Sequence, residues 1–193
     1  MDQLTENLLL YLKLDKVNVL VDDASGNKYE GTVEGAQVAK DDQFSQCLTF
    51  NGKSDFIRCN DDGCQIKGKE PRTISIWAYV EEFNGGGLFQ AGSNEAKATD
   101  FSLCTLSREN GWRIQIGSSE SFDVTLKGSQ GQWNHYGLVY DGERVHLYFN
   151  GILMGSKSLS LDTLEHEVCL GRWNEQYFSG KMAHFRIYKQ ALG

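Results

Sequence analysis

Proline is nearly missing from this sequence, with Pro71 the only one in 193 residues, while glycine occurs 21 times. Aromatic residues make up 11%, and the mixture suits many short strands joined by glycine turns. A helical bundle would carry more alanine and leucine and less glycine. A cluster of positive charge is also lacking. Net charge is −7 and the basic residues are scattered, so the patch that phosphate-backbone binding requires is missing and nucleic acid is excluded as a partner. Long apolar runs are lacking too. Leu8-Leu9-Leu10-Tyr11-Leu12 stops at Lys13, too short for a membrane span or the apolar stretch of a signal peptide. The opening Met1-Asp2-Gln3-Leu4-Thr5-Glu6 has no basic leader region. Neither a Cys-x-x-Cys pair nor an Asn-x-Ser/Thr acceptor occurs. The five cysteines (Cys47, Cys59, Cys64, Cys104 and Cys169) are expected to be free thiols in a reducing compartment, with a Cys59–Cys64 bridge the alternative for an exported chain. The expectation is therefore an intracellular protein, in the cytoplasm or at the cytoskeleton or cilium, or else an extracellular one whose leader was removed.

What is present is period-two alternation. Ile74, Ile76, Ala78 and Val80 share one face of a strand whose other face carries Thr73, Ser75, Trp77 and Tyr79. Val145, Leu147 and Phe149 oppose Arg144, His146, Tyr148 and Asn150, and Ala183, Phe185 and Ile187 oppose Met182, His184, Arg186 and Tyr188. Further strand-like runs lie at 8–14, 47–50, 56–59, 88–90, 101–106, 112–116, 122–126, 133–140 and 168–170. Asn51-Gly52 and Asn150-Gly151 predict two tight hairpins. Helix is expected only as turns near 162–165 and 189–192. Roughly a dozen strands in one chain predict two packed sheets, because a single twisted sheet of that size curls or splits. One all-β domain spanning 1–193 follows, a two-sheet antiparallel jelly-roll sandwich.

Several segments, in order, carry a resemblance. Leu10-Tyr11-Leu12-Lys13-Leu14 with Asp23-Ala24-Ser25-Gly26-Asn27, then Leu48-Thr49-Phe50-Asn51-Gly52, then Thr73-Ile74-Ser75-Ile76-Trp77-Ala78 open the series. Trp133-Asn134-His135-Tyr136 through Leu147-Tyr148-Phe149-Asn150-Gly151 and the closing Phe185-Arg186-Ile187-Tyr188-Lys189-Gln190-Ala191-Leu192 complete it. Together they resemble the laminin G-like domains of the concanavalin A-like lectin/glucanase superfamily over residues 8–192. The resemblance implies the jelly roll, with Trp77 and Trp133 as packing residues and His135 as a hydrogen-bonded core histidine. Function has to be sought in the site, since such folds host unrelated activities.

Enzymatic relatives of this fold carry paired carboxylates on one strand, as Glu-x-Asp-x-x-Glu, to flank a glycosidic bond. Glu165-His166-Glu167 lacks both the Asp and the third acid, so no catalytic residue is assigned and glycoside hydrolysis ranks third among the readings. Gly63 to Gly68-Lys69 has phosphate-loop spacing, but Glu70 and Pro71 replace the hydroxyl and the helix that such a loop needs. Calcium, which many laminin G-like domains hold between loops, would find oxygens at Asp22, Asp23 and Asn27, or at Asp61 and Asp62. Ala183 and His184 stand where the family's closing strand carries acids. No cofactor is therefore expected, calcium being the exception considered.

A sugar requires an aromatic platform and fixed amide or carboxylate partners. Asn94, Trp112, Arg113, Trp173, Asn174 and Tyr177 are the candidate ligand-binding residues. Trp, Tyr and Arg are equally the residues that anchor protein interfaces. The first expectation is a non-enzymatic interaction module that docks into a larger protein assembly, and the alternative is a carbohydrate-binding, lectin-like domain.

Overall fold

The computed structural model describes residues 3–59, 66–93, 96–107, 111–117, 120–126 and 129–193. Numbered in chain order, the described strands run from β1 to β18, and nearly all fall into two antiparallel sheets. The first sheet is ordered β14 (Ile152–Ser158), β13 (Arg144–Phe149), β12 (Trp133–Tyr140), β7 (Arg72–Glu82), β18 (Ser179–Tyr188), β5 (Ser45–Asn51) and β4 (Gln37–Asp41), with β1 (Leu8–Leu12) also paired to β18. The second is ordered β11 (Ser121–Thr125), β10 (Gly111–Gly117), β9 (Lys97–Leu106), β8 (Gly87–Gly92), β15 (Val168–Leu170), β6 (Phe56–Cys59), β3 (Glu30–Glu34) and β2 (Leu20–Asp22). A small hairpin, β16 (Arg172–Trp173) with β17 (Gln176–Tyr177), joins this sheet through a parallel contact of Tyr177 with Gly87.

Alternation decides what lies between the sheets. The inward residues of β7, Ile74, Ile76, Ala78 and Val80, are all buried, as the pattern predicts. They meet Phe185 from β18 and Phe89 from β8, whose rings lie 6.2 Å apart across the sandwich. Trp112 of β10 is fully buried and packs 4.4 Å from Tyr136 of β12. This corrects the expectation that Trp112 contacts a ligand. Adjacent strand residues point to opposite faces, so Trp112 follows Ile114 into the core while Arg113 faces out.

Turn chemistry holds in one predicted hairpin and not in the other. Asn150 and Gly151 take φ of 49° and 80°, as a two-residue turn between β13 and β14 requires. Asn51-Gly52 does not close a hairpin, because β5 lies in the first sheet and β6 in the second. The segment crosses between sheets, with the Asn51 side-chain carbonyl accepting the N–H groups of Lys53, Ser54 and Asp55. Among the described residues the one helix is Gln3–Glu6. The turns expected at 162–165 and 189–192 are non-helical, and Thr163 instead exchanges backbone hydrogen bonds with Gly68. Trp77 and Trp133 are packing residues as the resemblance implies, both against Phe44, but expected core placement fails for His135. All three are half-buried on the outer face of the first sheet, opposite their buried strand neighbours.

Truncating the Trp112 side chain should cost about 3–5 kcal/mol, the range for removing a large buried aromatic. Chemical denaturation of Trp112→Ala checks this, and a loss under 1 kcal/mol, the size expected of an exposed residue, would contradict its core placement.

Candidate functional site

The outer face of the second sheet carries a continuous row of polar side chains. Register places Thr32, Arg58, Cys169, Gln90, Ser102, Gln115 and Ser121 opposite one another across β3, β6, β15, β8, β9, β10 and β11. Each alternates with a core residue, such as Phe89 beside Gln90 and Ile114 beside Gln115. An outward polar row is ordinary for a sandwich, but here Gln90, Ser102, Gln115 and the nearby Asp100 are buried. The segment from Gly171 to Phe178, which contains the β16–β17 hairpin, folds over β8 and contacts Gln90 and Asp100.

Glycine permits that cover. A Cβ on Gly86 would lie 2.1 Å from the Tyr177 carbonyl oxygen, and one on Gly87 would lie 2.4 Å from the Trp173 nitrogen. The cover is then pinned by hydrogen bonds. The Trp173 indole N–H donates to Asp100 at 3.0 Å, and the Asn174 backbone N–H donates to Gln90 Oε1 at 3.0 Å. Ser102 donates its hydroxyl to the other Asp100 oxygen. Burial pushes the Asp100 carboxyl up to about 6, against the opposing pull of the Ser102 and Trp173 hydrogen bonds. Arg172 lies 4.1 Å over the Phe56 ring and pairs with Glu167 at 2.5 Å. Burial pushes the neighbouring Cys169 thiol up to about 12, which leaves it protonated and chemically quiet.

Beside this cover lies a groove of about 410 Å³ lined by Gln90, Gly92, Ser93, His166, Arg172, Asn174 and Glu175. Its rim is exposed at His166, Asn174 and Glu175, and its floor is held by internal hydrogen bonds. The groove offers amide, imidazole, carboxylate and guanidinium groups beside an immobilised indole. Such a set suits a polyhydroxylated ligand, whose hydroxyls donate and accept alike.

Of the six candidate residues, the structure places Asn174 in the groove's lining, while its neighbour Trp173 turns its indole N–H to Asp100. Tyr177 packs 6.2 Å from Phe56, behind the hairpin, and its hydroxyl donates to Glu175. Arg113 shares the outer face but makes two hydrogen bonds to Asp123, at 2.8 and 2.9 Å, on the far strands. Trp112 is in the core, and Asn94 lies outside the described residues. The sequence reading missed Gln90, Asp100 and His166. The signal available was Gln90 itself, a polar residue in an otherwise apolar strand, since alternation opposes it to Phe89 and Ala91.

The calcium candidates have other work. Asp23 accepts the N–H groups of Tyr11 at 2.9 Å and Ser25 at 2.8 Å and the Ser25 hydroxyl at 2.6 Å. Asn27 donates its amide to the Leu8 and Leu9 carbonyls, so both side chains tie a loop to β1. Asp22 is exposed beside them. Among the described residues no group of three or more His, Cys, Asp or Glu side chains converges. Asp61, Asp62 and Cys64, and with Cys64 the Cys59–Cys64 bridge, lie outside the described residues. Cys47, Cys104 and Cys169 are buried and unbridged.

Residues 51–193 match the laminin G family described as the concanavalin A-like lectin/glucanases superfamily. The fold is similar to domain 4 of AbnA, an extracellular arabinanase of Geobacillus stearothermophilus solved with arabinotriose. The likeness has a TM-score of 0.77 and 22% identity over 97% of this chain and 94% of that one. It is also similar to the receptor-binding domain of a botulinum neurotoxin C/D mosaic, with a TM-score of 0.73 and 17% identity over 98% of this chain. A botulinum neurotoxin DC binding domain solved with SialylT gives a TM-score of 0.72 and 15% identity over 99% of this chain. The chain spans about half the length of those toxin domains. Comparison with curated protein sequences finds no match.

The Asp100 carboxyl binds its proton more tightly in the folded chain than in the unfolded one. Its ionisation therefore opposes folding: stability falls as pH rises from about 4 to about 6, by roughly 3 kcal/mol at most. Asp100→Asn keeps an acceptor for the Trp173 N–H and should remove that decline. Denaturation curves across this range check it, and an unchanged pH profile in the variant would contradict the assignment.

Proposed function

We propose that this chain, which belongs to the concanavalin A-like lectin/glucanases superfamily, is a non-catalytic carbohydrate-binding module whose site is the groove beside the β16–β17 hairpin. The observation that carries the reading is the buried Gln90 lining the groove beside exposed His166, Asn174 and Glu175, with the buried Asp100 and Ser102 near it on the same sheet face. Buried polar groups are stable only when hydrogen-bonded, and here their bonds also fix Trp173 and Asn174. A preorganised set of this kind loses little conformational freedom when a sugar arrives. Asn174 supplies a neutral amide, Glu175 a carboxylate, and the held indole an apolar patch for a sugar face.

The fold relatives support the same reading, one having been solved with arabinotriose and another with SialylT. They favour glycan binding over the protein-docking role expected first from the sequence. Binding without catalysis is supported by the acids at the groove: Glu175 is the one carboxylate among its described lining residues, and two further acids lie near it. Asp100 is fully buried against Trp173 and Ser102, and Glu167 is neutralised by Arg172. Neither resembles the pair of acids, one on each side of a scissile bond, that a glycosidase needs.

A glycan array of the purified chain, followed by calorimetry on the strongest hit, tests the reading. Asn174 has a positive φ of 51°, so Asn174→Gly removes the amide without straining the backbone. Losing one or two ligand hydrogen bonds should weaken binding by roughly five- to tenfold, with thermal stability unchanged. Full affinity in both Asn174→Gly and Glu175→Gln would remove the groove as the site. Sugar release that is abolished by Glu167→Gln would overturn the non-catalytic half of the proposal.

A further inference from the structure

The first sheet also carries an outward row, of a different character. Tyr11, Arg186, Ser75, Gly137 and Tyr148 stand opposite one another across β1, β18, β7, β12 and β13. Trp77 and His135 flank this row on one side, their rings 5.3 Å apart. Strand β18 bulges between Ala183 and Arg186, where His184 takes a φ of 53°. The bulge presents the His184 ring to the Tyr11 hydroxyl at 2.7 Å and to the Phe44 ring at 5.2 Å. Phe44, from the β4–β5 turn, also packs on Trp77 at 5.5 Å and Trp133 at 4.8 Å.

One half of this face is satisfied within itself. The Trp133 indole N–H donates to both Asp41 carboxylate oxygens at 3.0 Å, and Lys181 lies 3.5 Å from the same group. The other half is not. The Arg186 guanidinium lies 4.0 Å from the Tyr11 ring centre, and no described residue pairs with it or accepts a hydrogen bond from it. Around it are uncharged hydrogen-bonding groups. Ser75 Oγ and His135 Nε2 lie 2.8 Å apart. Burial and the Arg186 charge hold the His135 and His184 imidazoles below their ordinary range, with Asp15 and Lys13 acting in opposite senses on His184. Both rings are therefore neutral at pH 7, and Arg186 is the charge beside Ser75 and Tyr11. Gly137, between Ser75 and Tyr148 in the row, puts no side chain over the backbone there.

A half-buried guanidinium held flat on an aromatic ring is pre-shaped for the two oxygens of a carboxylate. The neutral hydroxyl and imidazole beside it, with the Trp77 ring next to them, add partners for a hydroxylated ring. We propose that this face is a second ligand site, for a saccharide that bears a carboxylate. Arg186 takes the carboxylate, Ser75 and His135 hydrogen-bond ring hydroxyls, and Trp77 lies against the sugar face. The site lies on the opposite sheet from the groove and does not depend on the groove's function.

Calorimetry of the full chain with trigalacturonate, with galactotriose as the neutral control, tests this. Trigalacturonate should bind and galactotriose should not bind at this face. Arg186→Gln should weaken trigalacturonate binding about tenfold or more, and Arg186→Lys, which keeps the charge without the fork, should also lose most of it. Asn174→Gly should leave trigalacturonate binding intact, which separates this site from the groove. Circular dichroism and thermal melting report whether each variant folds. If Arg186→Gln does not fold, Arg186→Lys and Ser75→Ala carry the test. Absence of trigalacturonate binding at millimolar concentration would overturn the proposal, as would undiminished binding in folded Arg186 variants. Equal affinity for an oligoglutamate peptide, or Arg186-dependent capture by phosphatidylserine vesicles without uronate binding, would also overturn it, in favour of an acidic peptide or a lipid surface.

Discussion

Strand β18 is the constraint on which the rest of the structure depends. On one side it pairs with β7 from Ser179 to Tyr188; on the other it pairs first with β5 and then, past the His184 bulge, with β1. One strand at the end of the chain thus ties the first strand to the centre of the first sheet. It also anchors both outer faces. The segment that covers β8 ends at Phe178, whose carbonyl accepts the Gly52 N–H, and β18 begins at the next residue. Eight residues further on, Arg186 faces out between Tyr11 and Ser75. A strand that must satisfy neighbours on both edges has little freedom to slip, because a one-residue shift would exchange Phe185 and Arg186 between core and solvent.

The two outer faces solve different problems with the same geometry. On the second sheet, polar side chains point outward and are then covered, so each must find a partner or oppose folding. Gln90 and Asp100 find theirs in the Asn174 and Trp173 N–H groups. Asp100 still sits in a site that disfavours its charge, a local destabilisation of the kind that functional sites tolerate while the core supplies the stability. On the first sheet, aromatic rings cover one another edge to face around Phe44, and Arg186 lies on Tyr11 with no anionic partner among the described residues. Strands position Gln90, Ser75 and Arg186, while His166 stands on the connection that leads into β15, and Asn174 and Glu175 on the one that joins β16 to β17.

Much of the fold could be read from the residues. Alternation assigned the inward faces of β7 and β13, and Asn150-Gly151 marked a true hairpin, because both features are local. In β18 it placed Phe185 and Ile187 correctly but put Met182 outside, whereas the bulge after Ala183 leaves Met182 buried. Where the reading failed, local rules met a decision made elsewhere in the chain. Trp112 looked like a ligand contact because it adjoins Arg113, although strand geometry sends the two to opposite faces. Asn51-Gly52 looked like a hairpin, yet β5 and β6 pair with different partners. In the candidate groove, Trp173 and Asn174 were legible as an aromatic and an amide in one loop. Gln90, Asp100 and His166 were not, since they come from three separated stretches of sequence.

By itself the sequence determined a two-sheet sandwich, because hydrophobic burial needs only the period of the apolar residues and turns need only their own φ angles. The tertiary structure alone decided which polar residues meet. The β16–β17 hairpin folds onto β8 through the space left by Gly86 and Gly87, and Tyr11 reaches Arg186 through a strand pairing that joins opposite ends of the chain. Contacts between residues 86 to 175 positions apart carry no local signature. They arise when strands pair, and both outer faces proposed as ligand sites are made of them.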